Sequence, residues 1–181
     1  MRINYLKVIK KPKVLVICTG DELINEKKKQ SLVVSTNNIF IKHFVELFGG
    51  EIVKIHFSRD NQTEFKKKFK SSKNFDLLIT SGGISRGKYD IVKESLKEFG
   101  LKILFDRVAI KPGKPTTFGK LGTNKFFLGL PGNPVSCFMS LTNFLPIYIN
   151  SYYGKKIINL NFIEFESKSF IEKNENLTLF Q

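Results

Sequence analysis

Two short apolar runs, Val14-Leu15-Val16-Ile17-Cys18 and Leu77-Leu78-Ile79, restrict this chain more than any other feature. Neither alternates with polar residues, so a strand built from either has no face suited to water. Runs of this kind, rich in β-branched residues, mark strands at the centre of a parallel sheet covered on both sides. Between and after them the pattern turns helical. Thr36 or Asn37 can cap a helix whose Phe40, Phe44, Leu47 and Phe48 share a face, and Gly49-Gly50 stops it. A second strand follows at 51–57, then a turn at 58–61 and a short basic helix with Phe65 and Phe69 inward. A third strand at 76–80 precedes a helix lined by Val92, Leu96 and Phe99 and ended by Gly100. Strand and helix alternating in this way predict an α/β fold, a mostly parallel sheet with helices on both faces.

In such sheets ligands bind outside the carboxyl ends of the strands. Two turns fall there. The first, Thr19-Gly20-Asp21-Glu22-Leu23, carries adjacent carboxylates. The second runs Thr80-Ser81-Gly82-Gly83-Ile84-Ser85-Arg86-Gly87-Lys88-Tyr89-Asp90. Its three glycines admit positive φ and close approach to the backbone, and successive N–H groups in such a turn form a concave anion site. Thr80, Ser81 and Ser85 add hydroxyls, and Asp90 stands where it can cap the next helix or hold a cation. The stretch therefore reads as a phosphate cradle; an ordinary glycine-rich loop with an N-cap has the same spelling.

Further along, 102–110 predicts a fourth strand running into Lys111-Pro112-Gly113-Lys114-Pro115, a stiff loop with two cations. A rigid bicationic loop suits an anion, because little ordering entropy is lost on binding. Two strands at 116–121 and 125–130, joined by Gly122-Thr123-Asn124, form a hairpin and bring an antiparallel pair into the sheet. Gly129-Leu130-Pro131-Gly132-Asn133-Pro134-Val135-Ser136 is another strand-to-helix turn, with Pro134 fit for the first helical position. From 134 to 154 no residue is charged, but Asn143, Pro146 and Asn150 dilute the stretch, so it reads as a buried helix kinked at Pro146 rather than a membrane span. One more strand is expected at 160–166.

The balance of 30 basic against 16 acidic residues, a net charge of +14, favours anionic partners. The lysines are scattered over many segments, which suits a solvated surface and assigns no nucleic acid. Cys18 and Cys137 fit no metal or disulfide spacing and are read as reduced and buried. His43 and His56 stand alone, so no zinc site is expected. The N-terminal segment lacks the apolar core of a signal peptide, which leaves the cytoplasm as the expected location and no membrane partner.

Four motifs in order now carry a family resemblance: Val16-Ile17-Cys18-Thr19-Gly20-Asp21-Glu22-Leu23, Thr80-Ser81-Gly82-Gly83-Ile84-Ser85, Lys111-Pro112-Gly113-Lys114-Pro115, and Gly129-Leu130-Pro131-Gly132-Asn133-Pro134-Val135-Ser136. The chain resembles the molybdopterin-binding domain of molybdopterin molybdenumtransferase, the gephyrin E-domain type. The resemblance implies a three-layer α/β/α sandwich at 13–155, after a tail or linker at 1–12 and before the start of a C-terminal β-domain at 156–181. It implies insertion of molybdate into adenylylated molybdopterin, with release of AMP and with Mg²⁺ present. It assigns Asp21, Glu22 and Asp90 to the metal and nucleotide site. Ser81, Gly82, Gly83 and Ser85 would cradle phosphate, and Thr19 and Gly20 would also bind the cofactor. Lys111, Lys114 and Ser136 would line an oxyanion pocket, with Gly132 and Asn133 shaping the turn beside it.

The chain also departs from the pattern. Lys88 stands where the family usually has an acidic residue, and Ser35 where it often has Asp or Asn. Members of the family carry two N-terminal domains and complete the cleft across a dimer. The resemblance thus implies a homodimer or a complementary N-terminal polypeptide. Two other activities stay open: the adenylyltransferase step that precedes insertion, and non-catalytic binding of the pterin nucleotide.

Overall fold

A computed structural model describes residues 4–21, 35–83, 90–155 and 178–179. Strands β1 (Lys13–Thr19), β2 (Glu51–Ser58), β3 (Leu77–Ser81), β4 (Leu101–Asp106), β6 (Thr117–Leu121) and β7 (Lys125–Leu130) form one sheet in the order β2-β1-β3-β7-β6-β4. Two short strands, β5 (Ile110–Lys111) and β8 (Thr178–Leu179), pair separately. The helices are α1 (Asn37–Leu47), α2 (Gln62–Lys70), α3 (Ile91–Lys97) and α4 (Pro134–Tyr152). The four strands β2, β1, β3 and β7 are parallel, and β6 is antiparallel to β7 and β4. The expected mixture of a parallel sheet with one antiparallel hairpin is what forms.

The two apolar runs occupy the middle because each strand feeds two cores. Val14, Val16 and Cys18 of β1 point to one side, where α1 and α4 cover them with Ile41, Val45, Leu141 and Leu145. Leu15 and Ile17 point to the other, against Phe65 of α2 and Val92 and Leu96 of α3. Leu77 and Ile79 of β3 join the first core and Leu78 the second. Each such side chain contributes about 1.5–3 kcal/mol by leaving water.

Helix α1 differs from its expected face. Asn37, Ile41 and Val45 form its buried stripe, Phe40, Phe44 and Phe48 flank it half-buried, and Leu47 is 62% exposed. Leu47 lies two residues beyond Val45, about 200° round the helix, and so points away from the sheet. Neither expected cap operates: Thr36 holds the N-cap position without a side-chain bond, and the Asn37 amide is used elsewhere.

The strand expected at 102–110 is broken in two. Arg107 adopts φ 68°, in the left-handed region, which turns the chain out of the large sheet after Asp106. The turned segment is fastened by Arg107 N–H to Thr116 O and Val108 N–H to Lys114 O, each 2.9 Å. Burial works to raise the Asp106 carboxyl, but hydrogen bonds from Thr117 and Lys93 outweigh it and hold the group below the usual range.

Helix α4 runs through the uncharged stretch with Pro146 in its interior, burying Cys137, Leu141, Leu145, Tyr148 and Ile149. Among the described residues, no helix is long and apolar enough to cross a membrane. Cys18 and Cys137 are free and buried; burial pushes their thiols up to about 12 and about 11. The strand expected at 160–166 lies outside the described residues.

Helix α2 owes its start to Asn61, whose Oδ1 accepts from Thr63 N–H at 2.9 Å and Glu64 N–H at 3.1 Å. Replacing it by Ala leaves two donors without that acceptor, so Asn61→Ala should lower stability by about 0.5–2 kcal/mol. Urea unfolding followed by circular dichroism measures this; an unchanged midpoint would remove the cap from the account.

Candidate functional site at the carboxyl edge of the sheet

Strands β1, β3 and β7 end side by side. Cys18 is in register with Ser81, and Ser81 with Leu130, so the turns that follow share one edge of the sheet. The described parts of the first two turns are in direct contact. Gly82 N–H donates to Leu130 O at 3.1 Å. Its φ is +87°, and a Cβ there would fall 2.3 Å from the Thr19 carbonyl oxygen. Gly83, at φ +65°, leaves room for only 2.7 Å to Thr19 Oγ1. Here the glycines are required, because the backbone of one loop lies against the other.

Asn37 ties the third turn to the same place. Its Nδ2 donates to Ser81 Oγ at 2.6 Å and to the Gly132 carbonyl at 2.8 Å. A single amide, 7% exposed, thereby fixes the loop after β3 to the loop after β7. Nothing in the sequence distinguished this role from capping, because Asn serves both. Asn37 Oδ1 and Asn38 Oδ1 at the start of α1, and Thr19 Oγ1 and Thr80 Oγ1 at the ends of β1 and β3, are buried with no hydrogen-bond partner among the described residues. Buried polar atoms are rarely left so, and at a strand edge they are the natural contacts of a ligand or water.

Asn133 caps α4. Its Oδ1 accepts from Ser136 N–H at 3.1 Å, with Pro134 in the next position. The Ser136 N–H is therefore committed to the cap, and what Ser136 offers a ligand is its hydroxyl.

The lysine loop is fastened one helical turn further along. Thr116 donates from both N–H (3.1 Å) and Oγ1 (2.6 Å) to the Gly113 carbonyl, and the Thr116 and Ser140 hydroxyls lie 2.6 Å apart. Ser140 follows Ser136 by four residues on α4, so the two stand on the same face. Lys111 and Lys114 are both exposed.

The acidic residues are placed less uniformly. Asp21 is exposed and its Oδ1 accepts from Asp60 N–H at 3.1 Å. Asp90 caps α3 through Oδ1, which accepts from Lys93 N–H at 3.0 Å, while Oδ2 pairs with Lys93 Nζ at 2.6 Å. Among the described residues, no group of three or more His, Cys, Asp or Glu could hold a metal ion. Glu22, Ser85 and Lys88 lie outside the described residues.

The close contact at Gly82 carries a prediction. Gly82→Ala should cost about 1–3 kcal/mol or more, since the methyl meets backbone rather than a yielding side chain. Gly132→Ala, whose new Cβ would lie 3.5 Å from Gly82 Cα, should stay within about 0.5 kcal/mol of the parent. Paired denaturation curves test both; equal stability of the two variants would contradict the contact.

Comparison with known proteins agrees with this geometry. A family described as "Probable molybdopterin binding domain" matches residues 15–150. The molybdopterin molybdenumtransferase of Haemophilus influenzae is 38% identical over 154 residues, covering 83% of this chain and 38% of that protein. The solved structure of the molybdopterin biosynthesis protein MoeA from Pyrococcus horikoshii superposes with a TM-score of 0.65 at 29% identity, covering 80% of this chain and 36% of that one. Molybdenum cofactor biosynthesis protein B superposes at 0.62 over 82% of this chain and 97% of its own; at 11% identity this likeness shows the fold alone. The chain spans 34% to 38% of the length of the curated relatives compared with it.

Proposed function

The chain belongs to the family of probable molybdopterin-binding domains, and from that membership we propose that it serves molybdenum insertion. In this reaction molybdate enters the dithiolene of adenylylated molybdopterin and AMP leaves. The observation that carries the reading is the meeting of three turns at one edge: Gly82 and Gly83 against Thr19, and Asn37 bonded to both Ser81 and Gly132. The relatives named molybdopterin molybdenumtransferase support the insertion step over the adenylyl-transfer step.

The roles follow from the chemistry each group can supply. The N–H groups of Gly20 and Gly82 are bonded to Ser58 O and Leu130 O, so in this reading Thr19, Gly20, Gly82 and Gly83 shape the packed turns against which the pyrophosphate-bearing part of the substrate lies, with Ser81 held by Asn37 beside it. Ser85 and Glu22 belong to the same two loops. Asn133 and Gly132 set the start of α4, which presents the Ser136 hydroxyl. Lys111 and Lys114 would supply positive charge from a loop fastened through Gly113, and with Ser136 would form the pocket for a compact dianion.

Mg²⁺ usually keeps several waters and takes one or two carboxylates together with substrate phosphates. Asp21, exposed in the first turn, would hold it with Glu22 beside it; both Asp90 oxygens are engaged by Lys93, so Asp90 would reach the ion only by giving up that pair. Bound there, the ion would neutralise phosphate charge. We assign the reaction to the cytoplasm, with the cleft completed by a second copy or by a complementary N-terminal polypeptide.

Charge-assisted hydrogen bonds contribute roughly 1.5–3 kcal/mol each. Lys114→Gln and Ser136→Ala should therefore each weaken molybdate binding roughly ten-fold or more, measured by calorimetry with sulfate as competitor. Binding as tight as the parent's in both variants would sink the oxyanion pocket.

A further inference from the structure

Lys93 lies in the first turn of α3, with its side chain only 16% exposed. Its ammonium touches two carboxylates: Asp90 Oδ2 at 2.6 Å, and Asp106 at 2.9 Å to Oδ2 and 3.1 Å to Oδ1. The other i,i+3 pair on this helix, Lys97 with Glu94, is more than half exposed on both sides and of the kind that contributes little. Lys93 is different because of what its two partners belong to. Asp90 is the last residue of the loop that opens with Ser81. Asp106 is the last residue of β4, and the Thr117 hydroxyl at the start of β6 donates to its Oδ1 at 2.6 Å. Immediately beyond, Arg107 N–H to Thr116 O and Val108 N–H to Lys114 O close the base of the loop carrying Lys111 and Lys114. One ammonium joins the end of one loop to the foot of the other.

We propose that Lys93 is a positioning residue that sets the lysine loop at its working distance from the phosphate cradle. It touches no substrate in this role. It draws the start of α3 and the foot of the lysine loop to one cation, so that these two ends are held together. The inference rests on reading both loops as parts of one ligand site.

The test uses the full chain with Lys93→Met and Lys93→Arg and two measurements. The first is hydrogen exchange at the Arg107, Val108 and Thr116 amides, which involves no ligand. The second is molybdate affinity by calorimetry. Lys93→Met should speed exchange at those amides and weaken molybdate roughly five-fold or more, with the β1 and β3 amides unchanged. Lys93→Arg, which keeps the charge and can reach both carboxylates, should restore both. Should Lys93→Met not fold, Asp106→Asn cuts the same link while leaving an oxygen for Thr117, and the same changes are expected. Unaltered exchange overturns the brace. Faster exchange with unaltered affinity reduces Lys93 to a stability role and overturns the proposal. A parent chain that binds no molybdate would instead defeat the oxyanion reading, while exchange still decides whether Lys93 braces the loop.

Discussion

Strands buried on both faces have few places to go. Once β1 and β3 each send alternate residues into two separate cores, they must lie inside the sheet, with helices above and below. Parallel pairing then puts their carboxyl ends, and that of β7, on one edge. The candidate site depends on that arrangement. The turns after the strands meet because the hydrophobic register leaves them nowhere else to be.

Close meeting has its own requirements. Backbone against backbone excludes any Cβ at Gly82, and three turns brought together need a polar group to join them. Asn37 supplies it from the start of a helix that covers the sheet, so the packing of α1 and the geometry of the edge are one problem. The buried oxygens of Thr19 and Asn37 have no partner among the described residues, and a buried oxygen left unpaired costs stability. Groups of that kind persist where a ligand satisfies them. The cap on α4 makes a complementary point: by using the Ser136 N–H internally, Asn133 fixes the helix start and leaves the Ser136 hydroxyl as what it could offer a ligand.

Much of the framework was legible in the sequence, and for definite reasons. The runs at Val14 and Leu77, the Gly49-Gly50 stop and the Gly122-Thr123-Asn124 hairpin each rest on local rules that tertiary structure did not override. Leu47 was misplaced because four aromatic and aliphatic residues can be drawn on one helical face in more than one way, and only the Ile41 and Val45 contacts choose. The break at Arg107 was hidden, since a left-handed arginine has no local signature; it arises from the bonds to Thr116 and Lys114. Asn37 and Lys93 were also hidden as connectors, because each joins segments far apart in the chain. The loops themselves were recognised through ordered motifs, but how they are fastened together is a property of the fold.

The most direct measurement of the central claim is where a tetrahedral dianion binds. Tungstate shares the charge and shape of molybdate, and its anomalous scattering locates it without ambiguity in a soaked crystal. The account predicts tungsten at the carboxyl edge of the sheet, within hydrogen-bonding reach of Ser136 and of Lys111 or Lys114. An empty edge, with tungstate held instead on the exposed lysines of α2 such as Lys67 and Lys70, would contradict it.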